Sequence, residues 1–176
     1  MGRFFRHYIN SYKMNAPEWK EYLEVAGDLY NSPQLQRLSE VEHHFDINRL
    51  QHIRSVAYMS YVISKKLGLD AAEAARGATL HDLVYYDWRE NDWSHRPHGF
   101  RHPGFAVKNA YLLCGTITKK QKNIIKRHMW PLTPIPPTCF EGLVVTMMDK
   151  YCAAIEIYYS KSARFKKRLS EQVGNI

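Results

Sequence analysis

The stretch Leu67-Gly68-Leu69-Asp70, then Ala71-Ala72-Glu73-Ala74-Ala75-Arg76-Gly77-Ala78-Thr79, then Leu80-His81-Asp82-Leu83-Val84 decides how the rest of the chain is read. Gly68 is placed to end one helix in the left-handed conformation, and Asp70 is placed to cap the next. The alanines and Gly77 leave a helix surface without bulk, which lets a second helix come close. That helix is expected to continue to about Tyr85. An imidazole and a carboxylate at His81 and Asp82 are costly in such apolar text, because a buried polar group costs several kcal/mol unless it is paired or bound. The pair is therefore either hydrogen-bonded into the core or ligates an ion.

Working outward, helical spacing recurs on both sides. Leu50, Ile53, Val56, Ala57, Met59, Ser60 and Ile63 mark a long helix from about Ile47 to Leu67. Before it, Trp19, Tyr22, Leu23 and Ala26 share one face after Pro17, and Ser32-Pro33 opens a short helix through Leu35, Leu38 and Val41. After it, the aperiodic, aromatic and charged run from Asp87 to Arg101 reads as a functional loop. Pro103 is expected to start a helix ending near Gly115, and Thr118 to cap one that reaches about His128. Pro131, Pro134, Pro136 and Pro137 predict a stiff extended passage, and a last long helix takes Phe140 to about Tyr159. Strand alternation is absent outside a few residues near the prolines. The expected fold class is all-α, a compact helical bundle.

With 45% apolar residues over 176, the chain can close one core without disulfides or a structural metal. Residues 1–176 read as a single domain with its core at about 44–160, a basic segment at 1–13 and a basic tail at 161–176. Those two ends hold seven of the eight excess positive charges, so the body is nearly neutral and lacks a basic stripe that would track phosphates. Nucleic acid is a disfavoured partner. Cys114, Cys139 and Cys152 form no close pair, which fits a reducing compartment and argues against a thiolate zinc site. No run approaches a membrane span or a signal peptide, so no membrane partner is expected and a cytoplasmic location is.

Eight of the nine histidines fall between His43 and His128. His52 lies within the long helix, and Asp149 follows Val144-Val145-Thr146-Met147-Met148 in the last one. His52, His81, Asp82 and Asp149 thus offer two imidazoles and two carboxylates from three helices, a nitrogen and oxygen set suited to Fe, Mn, Zn, Mg or Co.

This order, a histidine, then a His-Asp pair, then a late aspartate, resembles the HD-domain metal-dependent phosphohydrolase superfamily over roughly residues 44–160. The stretch from Leu67 to Leu83 is similar to that family's hallmark segment. Arg54-Ser55-Val56 departs from the commoner text, in which an arginine directly precedes the valine. His102 and His128 fall between the His-Asp pair and Asp149, as in the six-ligand subset that includes bacterial HD-type hydrolases of symmetrical diadenosine tetraphosphate. Asp149-Lys150 also matches that subset, whereas Met129-Trp130-Pro131 replaces its glycine. The resemblance implies one ion on His52, His81, Asp82 and Asp149 and a second on His102 and His128, with Asp82 bridging. It implies one or two divalent transition metals (Fe, Mn, Zn, Co or Ni), with Mg also compatible, and catalytic roles for His81 and Asp82.

The implied activity is hydrolysis of a phosphoester or phosphoanhydride, with a nucleotide the expected small phosphorylated substrate. Two ions about 3.5 to 4 Å apart activate water and neutralise charge on phosphoryl oxygens. Lys150 and Arg127 are the candidate substrate-binding cations. Tyr85, Tyr86, Trp88, Trp93 and Trp130 either stack on a base or fill core, the latter being commoner. His95 and His98 read as solvated loop residues, and His43 and His44 either reach the mouth of the site near Asp46 or serve the helix entry. A di-iron oxygenase and a non-catalytic metal- or nucleotide-binding module are the alternatives, and a homo-oligomer is compatible with the sequence.

Overall fold

The computed structural model describes residues 2–44 and 47–162. Its helices are α1 (Arg3–Asn10), α2 (Pro17–Tyr30), α3 (Pro33–Gln36), α4 (Arg49–Lys66), α5 (Ala71–Leu80), α6 (His98–Cys114), α7 (Lys119–Arg127) and α8 (Phe140–Lys161), with a 3-10 turn at Arg37–Glu40. The fold is all-α apart from a two-stranded antiparallel hairpin, β1 (Glu42–His44) and β2 (Ile47–Asn48), in which Glu42 faces Asn48 and His44 faces Ile47. The basic tail lies almost wholly outside the described residues, as do Asp46 and the side chain of His44.

Helix α4 is the axis of the bundle. A reciprocal cap starts it: Gln51 N–H donates to Asn48 Oδ1 at 2.9 Å, and Asn48 N–H donates to Gln51 Oε1 at 2.9 Å. Gly68, at φ +69°, ends it as expected, and Leu69 N–H reaches back to Ser64 C=O at 2.9 Å. Between these ends Ile53, Val56, Ala57, Met59 and Val62 are buried, and so are Ser55, Ser60 and Ser64, so α4 is enclosed on more than one face by α5 and α8. Small residues bring α5 in close: Ala74, Ala75 and Ala78 are fully buried, and a Cβ on Gly77 would stand 2.8 Å from Ile124 Cδ1 of α7. The Tyr22 and Thr79 hydroxyls meet at 2.9 Å and fix α2 on the far side of α5.

Several boundaries differ from expectation for identifiable reasons. Helix α5 stops at Leu80 instead of continuing to about Tyr85. The His81 ring N–H takes the Ala78 carbonyl at 2.7 Å, and side chains take the later carbonyls: Asn109 that of Leu83 at 2.8 Å, and Arg49 those of Val84 and Tyr86 at 2.6 and 3.0 Å. Helix α6 begins at His98, so Pro103 is an interior residue and not the first. The hairpin lies before α4 and not beside the prolines, where the chain turns, with Thr133 N–H donating to Met129 C=O at 3.3 Å. The basic N-terminal segment is a helix whose Tyr8 and Ile9 are buried, not a solvated end.

Candidate metal centre

The early stop of α5 and the early start of α6 bring four helix ends and one helix face around one cavity of about 320 Å³. His81 caps the C-terminus of α5 and His128 that of α7; His102 sits in the second turn of α6, His52 in the first turn of α4, and Asp149 in the middle of α8. All six predicted ligands, His52, His81, Asp82, His102, His128 and Asp149, line the cavity. All six residues are buried, with 9% exposure at Asp149 the highest.

The rings are oriented by the bonds at their far nitrogens. Nδ1–H of His81 donates to the Ala78 carbonyl at 2.7 Å, that of His102 to the His98 carbonyl at 2.9 Å, and that of His128 to the Ile125 carbonyl at 2.8 Å. Neutral imidazole has one N–H, so each Nε2 presents a lone pair to the cavity. Two of those lone pairs, on His102 and His128, face each other at 2.8 Å. That contact is repulsive unless a proton or a cation stands between them. His52 differs, because its Nδ1 lies 2.8 Å from the Glu156 carboxylate, which is fully buried, while its Nε2 lies 3.2 Å from Asp149 Oδ1.

The carboxylates are similarly poised. Asp149 Oδ1 is 3.8 Å from His81 Nε2 as well as 3.2 Å from His52 Nε2. Asp82 Oδ2 is 3.3 Å from Arg49 Nε and 3.7 Å from His43 Nδ1, and its Oδ1, 3.7 Å from His102 Nε2, is buried with no hydrogen-bond partner among the described residues. Burial acting alone would raise the Asp82 carboxyl, but Arg49 and the surrounding imidazoles hold it well below the usual carboxylate range. Asp149 is held low in the same way, against burial, chiefly by His52. Burial keeps His81 and His128 neutral by lowering both. For His52, burial is outweighed by Glu156 and Asp149, which raise it to about 10.

The donor set therefore suits a divalent metal: inward nitrogens of His81 and His128 that burial keeps neutral, ionised oxygens, and one oxygen without a hydrogen-bond partner among the described residues. His52, His81 and Asp149 offer atoms close enough to share one ion, and so do Asp82, His98 and His102. Lys150 also reaches the cavity, its Nζ donating to the His128 carbonyl at 2.8 Å and to Asp149 Oδ2 at 3.2 Å. Arg127 does not line it.

Five polar groups at or beside the site are absent from the sequence expectations, placed differently by them or left there between two roles. His98 is no solvated residue: its ring stacks on His102 at 4.3 Å between centroids and lines the cavity. His95 is buried against the Tyr86 ring at 4.0 Å, and His43 stands over His52 at 4.2 Å. Arg49 is a fully buried cation beside Asp82, and Glu156 is a fully buried acid behind His52. Helical spacing carries a signal for three of them. His98 and His102 are one turn apart, Arg49 is one turn before His52, and Glu156 is two turns after Asp149, so each shares a face with a predicted ligand.

Among the described residues no helix is long and apolar enough to cross a membrane. Comparison with curated proteins and with solved structures gave no match. The family model of the HD domain matches residues 49–154, a span that runs from Arg49 past Asp149 and contains all six cavity-lining His and Asp side chains predicted as ligands. The chain belongs to the HD-domain family, in the superfamily of metal-dependent phosphohydrolases, whose members bind divalent metals.

Proposed function

We propose that this protein is a metal-dependent phosphohydrolase of the six-ligand type, cleaving a phosphoester or phosphoanhydride of a small substrate, a nucleotide. The observation that carries the reading is the pair of Nε2 lone pairs of His102 and His128, 2.8 Å apart with both Nδ1–H groups committed to carbonyls. In this reading His52, His81, Asp82 and Asp149 would hold one divalent cation, and His102 and His128, together with Asp82, would hold a second. Bound cations supply an activated water nucleophile and neutralise charge developing on phosphoryl oxygens.

The chain's own groups do the rest. The three carbonyl-anchored imidazoles stay in one tautomer, so no ring needs to reorient when the substrate arrives. Arg49 keeps Asp82 ionised and, through its bonds to Val84 and Tyr86, fixes the chain that follows Asp82. Lys150 supplies a cation at the cavity for a substrate phosphate, whereas Arg127 lies outside the lining.

Elemental analysis of the purified protein is expected to find a transition metal near two equivalents. His81→Ala and Asp82→Ala are expected to lose metal and phosphate release together while the helical circular dichroism survives. Full phosphate release from rigorously metal-free protein would contradict the proposal.

A further inference from the structure

A second cavity, of about 590 Å³, lies beside the metal centre, and Trp88 and His98 line both. Its other walls include Trp93 and Arg96, from the loop between α5 and α6. Trp93 is 75% exposed, an unusual placement for the largest apolar side chain. The exposure does not come from a loose loop. Arg101 donates to the carbonyls of Trp93 and Arg96 at 3.1 and 3.3 Å, and Arg96 Nε donates to the Glu90 carbonyl at 3.2 Å. Ser94 N–H and hydroxyl both bond to the Asp92 carboxylate at 2.8 Å, and His95 is buried on Tyr86. Trp88 is fixed as well, its indole N–H donating to the His43 carbonyl at 3.3 Å and its ring stacking on His98 at 6.0 Å.

The loop thus holds one indole in water and another beside the cavity where the phosphate is placed, with the Arg96 guanidinium lining the same cleft. Flat aromatic faces beside a fixed cation recognise a planar heteroaromatic ring by stacking. We propose that the cleft between Trp88 and Trp93 binds the base of the substrate, with Trp93 the residue that sets preference for a base over a bare sugar phosphate. The inference rests on the phosphohydrolase reading for the position of the phosphate, and not for the binding of the ring.

Two measurements on the full-length, metal-loaded protein separate the two readings. Adenosine, which carries no phosphate, is titrated by calorimetry with ribose as control. Saturable binding of adenosine alone is expected, weakened about tenfold by Trp93→Ala and largely retained by Trp93→Phe. Trp93 contributes little to the core, so the alanine variant is expected to fold, which circular dichroism checks. Phosphate release is then compared for adenosine 5′-monophosphate and ribose 5-phosphate, with a ratio of kcat/KM of about ten expected in the wild type and near one in Trp93→Ala. No adenosine binding, an affinity unchanged by Trp93→Ala, or equal turnover of the two phosphates by the wild type would overturn the assignment. Adenosine binding that depends on Trp93, with no release from either phosphate, would support the cleft and overturn the hydrolase reading instead.

Discussion

Glu156 offers the sharpest test of how the site is built. Of the four histidines predicted as ligands, His52 is backed by a carboxylate, and His81, His102 and His128 by backbone carbonyls. Glu156 is fully buried, it bonds the His52 ring at 2.8 Å, and its second oxygen has no hydrogen-bond partner among the described residues. Outer partners of metal-ligating histidines are worth about 10- to 100-fold in metal affinity, or roughly 1.4 to 2.7 kcal/mol. Because a bound metal stabilises the fold by RT ln(1 + [L]/Kd), Glu156→Ala should lose that amount of metal-induced stabilisation at fixed metal concentration. At about 2 to 4 °C per kcal/mol for a domain of this size, the gap in Tm between metal-loaded and metal-free protein should narrow by roughly 3 to 10 °C. Glu156→Gln, which keeps an acceptor oxygen and loses the charge, should fall between the alanine variant and wild type. The assay is a set of four melts, loaded and metal-free for variant and wild type, so any purely structural cost of the substitution cancels in the difference. If Glu156→Ala lowers both melting temperatures equally and leaves the gap intact, Glu156 only fastens α8 to α4 and the reasoning is wrong.

Three other substitutions probe different parts of the argument. Arg49→Met removes a cation with no exposed surface from beside Asp82, and breaking such a buried pair costs about 3 to 5 kcal/mol; chemical denaturation should show a smaller loss with metal present, because a cation at the centre takes over part of the neutralisation. Gly77→Ala places a Cβ 2.8 to 3.0 Å from three atoms of the β-branched Ile124, so an overpacking cost of about 1 to 3 kcal/mol outweighs the gain of up to about 1 kcal/mol in helix propensity; a net fall in unfolding free energy is expected, and relief of it in combination with Ile124→Ala. Burial and the adjacent Lys66 ammonium, which donates to His7 Nε2 at 2.6 Å, hold the His7 pKa below its ordinary value. The unfolded chain then takes a proton near pH 6.5 that the folded chain resists, so this contribution is intact above pH 6.5 and is lost as pH falls through the folded value. His7→Gln should make the melting temperature depend less steeply on pH between 7 and 5 than it does in the wild type.

What the sequence discloses here is set by cost. His81, Asp82 and Asp149 stand out because each is a polar or charged group inside text that must be buried, and Gly68 and Asp70 mark their helix boundaries because local conformation alone requires them. The end of α5 is not legible in the same way, since it depends on Arg49 reaching carbonyls 35 and 37 residues away. Nor is the first helix: Phe5, Tyr8 and Ile9 pack into the core only once α4 supplies a surface, and three cations in thirteen residues make the same stretch read as a solvated end.

Arg49, His98 and Glu156 expose the deeper limit. Each repeats the spacing of a predicted ligand on its own helix, yet a charge on a helix is ordinarily a solvated face, and α4 is buried on more than one side, so no apolar stripe shows which of its charges turn inward. A sequence displays the groups that are expensive to bury; it does not display which of them cancel. At this centre the cancellation is the design: two carboxylates close to His52, one guanidinium close to Asp82, and two unprotonated nitrogens left facing each other, which among these groups is the contact that only a proton or a cation can settle.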